Sequence, residues 1–293
     1  MNKIKRLLSC LCAVAIMLTA TISVGSADTG PFTDVESNDW FAENVAACYG
    51  YGIVSGTSVT TFEPDRSISR AEFVTMLYRL DVATKYHGIL NIVTHVGYAG
   101  EEPDSLQHFM GITNAEMMNK AGESKFVDVD LDDYYGPAVI WASDNGYVTG
   151  TTETTFSPDD TITREQMMTM LYRYQYTEGL DFMYRTGTID LVSSRAFAFD
   201  FDEFGKEVLV NVDVLANYDD GVAVSTYAKE GVAWAIQSEY VTGISATELD
   251  PAGTTTRAQV ATIFARMLNN AELAATHTMY LHHLELRATK ANP

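Results

Sequence analysis

Three arginines stand at the same kind of boundary, where a short polar run turns apolar. Each follows a serine or a threonine, in the pairs Ser69-Arg70, Thr163-Arg164 and Thr256-Arg257. A planar guanidinium can grip a carboxylate or a phosphate through two parallel hydrogen bonds. The recurrence therefore makes anion binding the first chemistry to consider.

The spacing around each arginine predicts that it begins a helix. The hydroxyl residue is followed three positions later by Glu72, Gln166 or Gln259, which is the pattern of a capping box. The arginine then lies beside free backbone N–H groups and the positive end of the helix dipole, where we expect it to be exposed. An anion bound there would satisfy both groups. The alternative is a structural ion pair with Asp34, Asp65 or their copies.

The neighbouring residues recur with the arginines, so the chain is a threefold repeat. The shift from Arg70 to Arg164 is 94 residues, and the further shift to Arg257 is 93. The third copy is the most degraded, because Glu239 replaces a glycine. Its Phe-x-Asp start is read as Tyr218-Asp219-Asp220, one residue out of register.

Each unit is predicted to be a helix, a loop and a longer helix. Phe73, Val74, Leu77 and Leu80 keep helical spacing in the second helix, and the other copies repeat this pattern. One such hairpin cannot bury its apolar stripe alone. We therefore expect a mainly α fold in which three second helices form a bundle about a pseudo-threefold axis.

Two kinds of residue on the first helices are predicted to be structural. Trp141 and Trp234 are expected in the core. Cys48 aligns with Ala142 and Ala235, so it is expected to be buried and inert. An intermolecular disulfide is the alternative for this cysteine.

The motifs resemble the S-layer homology domain in three copies. The resemblance is carried by Phe-x-Asp-Val, Gly-Ile-Val-Ser-Gly, Phe-x-Pro-Asp and, above all, Ser-Arg-Ala-Glu, Thr-Arg-Glu-Gln and Thr-Arg-Ala-Gln. It implies a three-pronged spindle that binds the secondary cell-wall polysaccharide of a Gram-positive-type bacterium in grooves between the repeats. The ligand sugar commonly carries a pyruvate ketal, and hence a carboxylate.

The resemblance also implies which residues line the grooves. The arginines would grip the acid group, the glycines would let the backbone approach the sugar, the aromatic residues would lie against a sugar face, and the aspartates would accept sugar hydroxyls or orient the arginines. These residues are Arg70, Arg164, Arg257, Gly56, Gly150, Gly243, Trp40, Tyr134, Tyr227, Asp34 and Asp128.

The expected organisation places the repeats between insertions. A basic start, an apolar run and Gly25-Ser26-Ala27 predict a signal peptide over residues 1–27, with an uncleaved membrane anchor as the alternative. The segments that follow are repeat 1 (28–83), an insertion (84–123), repeat 2 (124–177), a β-rich insertion (178–214), repeat 3 (215–269) and a tail (270–293). The alternation in 196–201 and 208–214 predicts the strands of a hairpin in the second insertion.

Charge and missing motifs narrow the function. The formal net charge is −20, and removing Lys3, Lys5 and Arg6 with the leader takes it to −23. Such a chain should be repelled by nucleic acid and by anionic membranes. No P-loop, HExxH, CxxC or GxSxG motif occurs, so we expect a wall-bound surface protein that is not an enzyme and has no cofactor and no metal. The alternatives are a wall-associated glycoside hydrolase, an S-layer structural subunit, or insertions that recruit another surface protein.

Overall fold

The computed structural model describes residues 30–96, 124–186 and 210–269. These ranges confirm a mainly α fold of three repeats. The first and second helices are α1 (Ala42–Gly50) and α2 (Arg70–Val96), α3 (Gly136–Asp144) and α4 (Arg164–Thr186), and α5 (Lys229–Gln237) and α6 (residues 257–269). Three short 3-10 helices precede α5, at Val212–Asn217, Gly221–Ala223 and Thr226–Ala228.

The predicted capping boxes begin all three second helices. In repeat 1 the Ser69 Oγ accepts the Glu72 N–H at 3.2 Å, and the Glu72 carboxylate accepts the Ser69 N–H at 3.0 Å. The Thr163–Gln166 and Thr256–Gln259 pairs make the same two bonds. The arginine between each pair is consequently the first helical residue.

The repeats contact one another in a closed ring. Helix α3 packs on α2 of the preceding repeat, and α5 packs on α4. The ring closes from α1 to α6, where Asn44 Nδ2 donates to Thr262 Oγ1 at 3.4 Å. Isolated antiparallel bridges between the loops follow the same cycle, at Ser69–Thr161, Thr163–Thr254 and Ser67–Thr256. The spindle shape implied by the resemblance stays a prediction.

The second helices also contact one another inside this ring. The rings of Phe73 in α2 and Phe264 in α6 lie 5.8 Å apart. The Tyr174 hydroxyl of α4 donates to Asp81 of α2 at 3.1 Å. In each of these contacts the two second helices come from different repeats. The three repeats therefore share one core.

The residues expected to be structural on the first helices are buried. Trp141 and Trp234 belong to the core. Cys48 is fully buried, and its thiol donates to the Ala261 carbonyl at 3.2 Å. Burial raises the pKa of Cys48 to about 12, so little reactive thiolate forms at neutral pH.

The structure bears on the two insertions. Helices α2 and α4 continue to Val96 and Thr186, into the residues assigned to the insertions, and the repeat boundaries at residues 83 and 177 stay predictions. The strand predicted over 208–214 is wrong at its end, because Asn211 accepts the Asp213 N–H at 3.0 Å and starts a 3-10 helix. The signal peptide, the first strand of the hairpin and the tail lie outside the described residues.

Among the described residues, no helix has the length and apolar character needed to cross a bilayer.

The residue two positions after each first helix adopts the left-handed backbone conformation, which lowers stability when the residue is not glycine. Gly52 and Gly146 have φ of 70° and 76° there, whereas repeat 3 has Glu239 at 59°. A side chain in this conformation costs about 1–2 kcal/mol, offset by about 0.4–1 kcal/mol of glycine chain entropy. We expect Glu239→Gly to raise the free energy of unfolding by about 0.5–1 kcal/mol, measured by urea denaturation.

The matched control is Gly146→Ala, because no atom lies within 4 Å of the added Cβ. It should lower the free energy of unfolding by about 1 kcal/mol through backbone conformation alone. A destabilised Glu239→Gly variant would contradict the explanation.

Candidate functional site

The three helix-start arginines are buried, with 3%, 5% and 3% of Arg70, Arg164 and Arg257 exposed. The expectation that they are exposed is therefore wrong. Each guanidinium crosses to the loop of another repeat, where its Nε donates to a backbone carbonyl. The pairs are Arg70 with Phe156 (2.9 Å), Arg164 with Leu249 (2.7 Å) and Arg257 with Phe62 (2.7 Å).

The aspartates of the Phe-x-Asp starts hold the other side of the same peptide groups. The Asp34 carboxylate accepts the N–H groups of Phe62 and Glu63, at 2.8 and 2.7 Å. The peptide group between Phe62 and Glu63 is thus held at its N–H by Asp34 and at its C=O by Arg257. We call this unit the clamped peptide, and the other copies are Phe156–Ser157, held by Asp128 and Arg70, and Leu249–Asp250, held by Asp220 and Arg164.

The clamped peptides lead into an unusual backbone conformation. Glu63, Ser157 and Asp250 have φ of 58°, 59° and 50°. L-residues rarely adopt this region, and such residues persist when their surroundings fix them. The two hydrogen bonds from the loop to each aspartate supply that restraint, and Asp220 is the third aspartate of the set.

The N–H groups expected to receive an anion have protein partners instead. The Arg70 N–H donates to the Asp160 carbonyl at 2.9 Å, and the Ala71 N–H donates to the Pro158 carbonyl at 3.0 Å. The other second helices make the corresponding bonds. The carbonyls of a neighbouring loop therefore take the place at the helix start that the sequence suggested for a ligand.

The guanidinium environments are not identical. Arg70 stacks on the Phe156 ring and Arg257 on the Phe62 ring, each 4.7 Å from the centroid. Arg164 has the aliphatic Leu249 in this place. Burial lowers the pKa of all three arginines, and nearby acidic groups act against it.

The predicted ion pairs with Asp34, Asp65 or their copies are not formed. Within the described ranges, the carboxylate contact of these arginines is between Arg257 Nη1 and Glu72 Oε1, at 3.5 Å.

The three loop glycines are required by their own loops. A Cβ added at Gly56, Gly150 or Gly243 would collide with carbonyl oxygens of the same loop. Gly243 also has φ of 90°. These close approaches explain the glycines without a ligand, and their contact with a sugar stays a prediction.

The three aromatic residues remain exposed, with 65% of Trp40, 65% of Tyr134 and 54% of Tyr227 accessible. Burial raises the pKa of Tyr134, and the carboxylates of Glu72 and Asp159 add to this. The nearby charges of Arg66 and Arg79 act against it. Tyr134 in turn acts electrostatically on Arg79 of repeat 1 and Arg257 of repeat 3. We name each such place a junction after its aromatic residue.

The Tyr227 junction has the same composition, since Arg173 of repeat 2 and Arg70 of repeat 1 act on this tyrosine. The corresponding residues at the Trp40 junction are Arg266 and Arg164. The two tyrosine junctions thus join an aromatic residue of one repeat to arginines of the other two, and the repeat alignment predicts the same for Trp40.

Sequence reasoning missed the second arginine of each junction. Arg79, Arg173 and Arg266 each lie nine residues after a helix-start arginine. Their recurrence at one spacing in all three repeats was a usable signal. They are less buried than the helix-start arginines, and Arg79 makes only a 3.4 Å hydrogen bond to Ser55 Oγ.

The described part of the chain contains no group of three His, Cys, Asp or Glu side chains placed to hold a metal ion.

Arg70 should matter for folding more than a surface arginine does. Arg70→Ala removes hydrogen bonds to the Phe156 and Thr149 carbonyls and a stacked ring. Each charged hydrogen bond contributes about 1.5–3 kcal/mol, so we expect a loss of about 3 kcal/mol or more in the free energy of unfolding. The control Arg66→Ala removes ion pairs of a 39% exposed side chain and should cost about 1 kcal/mol or less. Equal losses would refute the clamp.

Glu72 links stability to pH. Burial acts to raise its pKa, but hydrogen bonds from Arg66 and the Ser69 N–H, with the charges of Arg66 and Arg257, lower it overall. The resulting stability is present above the unfolded pKa and is lost as the pH falls through the folded one. We expect the advantage of the parent over Glu72→Gln, measured as urea midpoints, to shrink on acidification from pH 7 to below the ordinary carboxyl pKa. A constant difference would argue against this ion pair.

A ring of three helical repeats, with arginines and exposed aromatic residues gathered where the repeats meet, defines a repeat-built module. The family model of the S-layer homology domain matches it three times, at residues 31–74, 125–168 and 217–261. Each repeat is therefore an S-layer homology domain, and these domains are cell-surface anchoring modules.

The relatives are longer proteins. An endoglucanase of Bacillus sp. (strain KSM-635) is 25% identical over 97% of this chain and 24% of its own length. The Surface-layer 125 kDa protein of Lysinibacillus sphaericus is 22% identical over 92% of this chain and 18% of its own length. A cell surface protein of Thermoanaerobacter kivui is 32% identical over 27% of this chain and 10% of its own length. The chain thus spans a quarter or less of these relatives.

Proposed function

We propose that this chain attaches non-covalently to the bacterial cell wall by binding an anionic, pyruvylated secondary cell-wall polysaccharide at the junctions. The observation that carries the proposal is the pairing of an exposed aromatic residue with arginines from two other repeats. An aromatic face suits the apolar face of a sugar, and a guanidinium suits its carboxylate.

The two arginines of a junction have different roles in this proposal. Arg79, Arg173 and Arg266 are less buried, and they contact the acid group directly. The buried helix-start arginines add positive electrostatic potential to the junctions from inside the protein. They also hold the loops that contain the clamped peptides. Asp34, Asp128 and the loop glycines shape the same loops, because their polar groups and close contacts are used within the protein.

The names of two relatives, a surface-layer protein and a cell surface protein, support a location at the cell surface. For export we propose that residues 1–27 act as the signal peptide, as the basic start and apolar run of the sequence predict. Other relatives are named as an endoglucanase and an exoglucanase, and the chain spans 24% and 16% of their lengths. We propose that the module binds the wall without catalysing a reaction. The experiment below also tests the alternative that it is a glycoside hydrolase.

The test is co-sedimentation of residues 28–293 with purified wall, before and after acid extraction of the polysaccharide. We expect binding that disappears after extraction, with no reducing sugar released. Undiminished binding to the extracted wall would refute the polysaccharide as ligand. Released sugar would instead favour the glycoside hydrolase.

Trp40→Ala and Arg266→Ala should weaken wall binding while the chain stays folded. Arg266→Ala also removes hydrogen bonds to the Tyr240 and Glu239 carbonyls, at 2.8 and 3.5 Å, so some loss of stability accompanies it. An aromatic contact worth about 1 kcal/mol predicts a roughly fivefold loss of affinity for Trp40→Ala. A charged hydrogen bond of about 1.5–3 kcal/mol predicts a loss of about 10- to 100-fold for Arg266→Ala.

The control is Lys125→Ala, which removes an exposed cation that stacks on Phe126 and is not one of the junction residues. It should bind wall like the parent. If the two junction variants also bind like the parent while folded by circular dichroism, these residues do not contact the ligand.

A further inference from the structure

Two positions of the capping-box turn differ in charge among the three repeats. One is Glu72 of repeat 1, where the other repeats have Gln166 and Gln259. The Glu72 carboxylate is paired with Arg66 and Arg257.

The other position is the residue after each helix-start arginine, which is Ala71 in repeat 1 and Ala258 in repeat 3, but Glu165 in repeat 2. Glu165 is only 8% exposed. Burying a carboxylate destabilises a protein unless the group is paired or hydrogen-bonded. The partners of Glu165 therefore explain how this side chain can be buried.

The partners of Glu165 all belong to the next repeat. Its carboxylate accepts the Ser225 N–H at 2.9 Å and the Ser225 hydroxyl at 2.7 Å. It also accepts the Tyr227 hydroxyl at 3.0 Å. No arginine or lysine of the described ranges forms an ion pair with it. The negative charge therefore lies at the Tyr227 junction, bound by neutral donors.

Tyr227 is consequently shared between this carboxylate and the arginines. Arg70 and Arg173 act electrostatically on the same phenol. At the Tyr134 junction, Glu72 and Asp159 also act electrostatically on the tyrosine, but no carboxylate of the described residues hydrogen-bonds its hydroxyl. Tyr134 is also more exposed than Tyr227, at 65% against 54%.

We propose that the charge of Glu165 closes the Tyr227 junction to the anionic saccharide, because its carboxylate accepts the Tyr227 hydroxyl and so places a negative charge beside the aromatic residue that the ligand would contact. A second carboxylate brought to this place would be repelled by the first. Glu165 is thus a residue that sets which junctions bind, and the inference rests on the function proposed above.

The test counts bound saccharides. Residues 28–293 are titrated by calorimetry with a methyl glycoside carrying a pyruvate ketal, and the number of sites per chain is compared between the parent and Glu165→Ala. We expect one additional site in the variant. Glu165→Gln keeps the size of the side chain and removes its charge, and it should also gain one site. It provides the same comparison if Glu165→Ala does not fold.

The reverse change is available in repeat 3, where the repeat alignment predicts that Ala258→Glu places a carboxylate beside Trp40. Because Ala258 is buried, circular dichroism first checks that this variant is folded. Trp40 reports this junction by fluorescence, because it is 65% exposed whereas Trp141 and Trp234 are 8% and 3% exposed. Ala258→Glu should lose one site and the Trp40 response to the saccharide. Glu165→Ala should keep that response.

The outcomes separate this inference from the function on which it rests. If the parent and every variant take up no saccharide, the proposed function fails. If the parent binds and both folded Glu165 variants show the same number of sites or fewer, the inference is wrong and the function stands. A normal Trp40 response in Ala258→Glu also overturns the inference.

Discussion

The clamped peptide is the interaction on which the rest of this structure depends. Asp34 holds the N–H between Phe62 and Glu63, and Arg257 of another repeat holds the C=O of the same group. Charges of opposite sign on the two sides polarise the peptide in one direction, so each bond strengthens the other. Because the arginine always comes from a different repeat, no repeat can complete its own loop. The loop conformation therefore requires the ring of three repeats, and the same hydrogen bonds hold the ring together.

The clamp also resolves the conflict of a cation at the start of a helix. The positive end of the helix dipole disfavours Arg70 there, and the sequence suggests an anion as the remedy. Backbone carbonyls of the neighbouring loop supply the negative charge instead, through bonds to the helix N–H groups and to the guanidinium. The guanidinium groups of the helix-start arginines are thereby used within the protein, which is why the proposed binding is assigned to Arg79, Arg173 and Arg266 farther along the helices.

Features that depend on the type and spacing of side chains could be predicted from the sequence. The capping boxes, the threefold repeat and the burial of Trp141 and Trp234 follow from periodicity and alignment. The burial of Arg70 could not, because its partner is a backbone carbonyl, which every residue carries and no residue type marks. The 3-10 helix at Val212–Asn217 was missed for a related reason. An alternating pattern predicts a strand, but one side-chain bond from Asn211 redirects the backbone.

The use of backbone groups explains how the third repeat can differ so much and still close the ring. Leu249 replaces a phenylalanine and removes the stacked ring, yet its carbonyl still binds Arg164 at 2.7 Å. Glu239 replaces a glycine and still adopts φ of 59°. The clamp needs only the aspartate, the arginine and a peptide group between them. Side chains around each junction can therefore change independently, and a single carboxylate can distinguish one junction from the others without opening the ring.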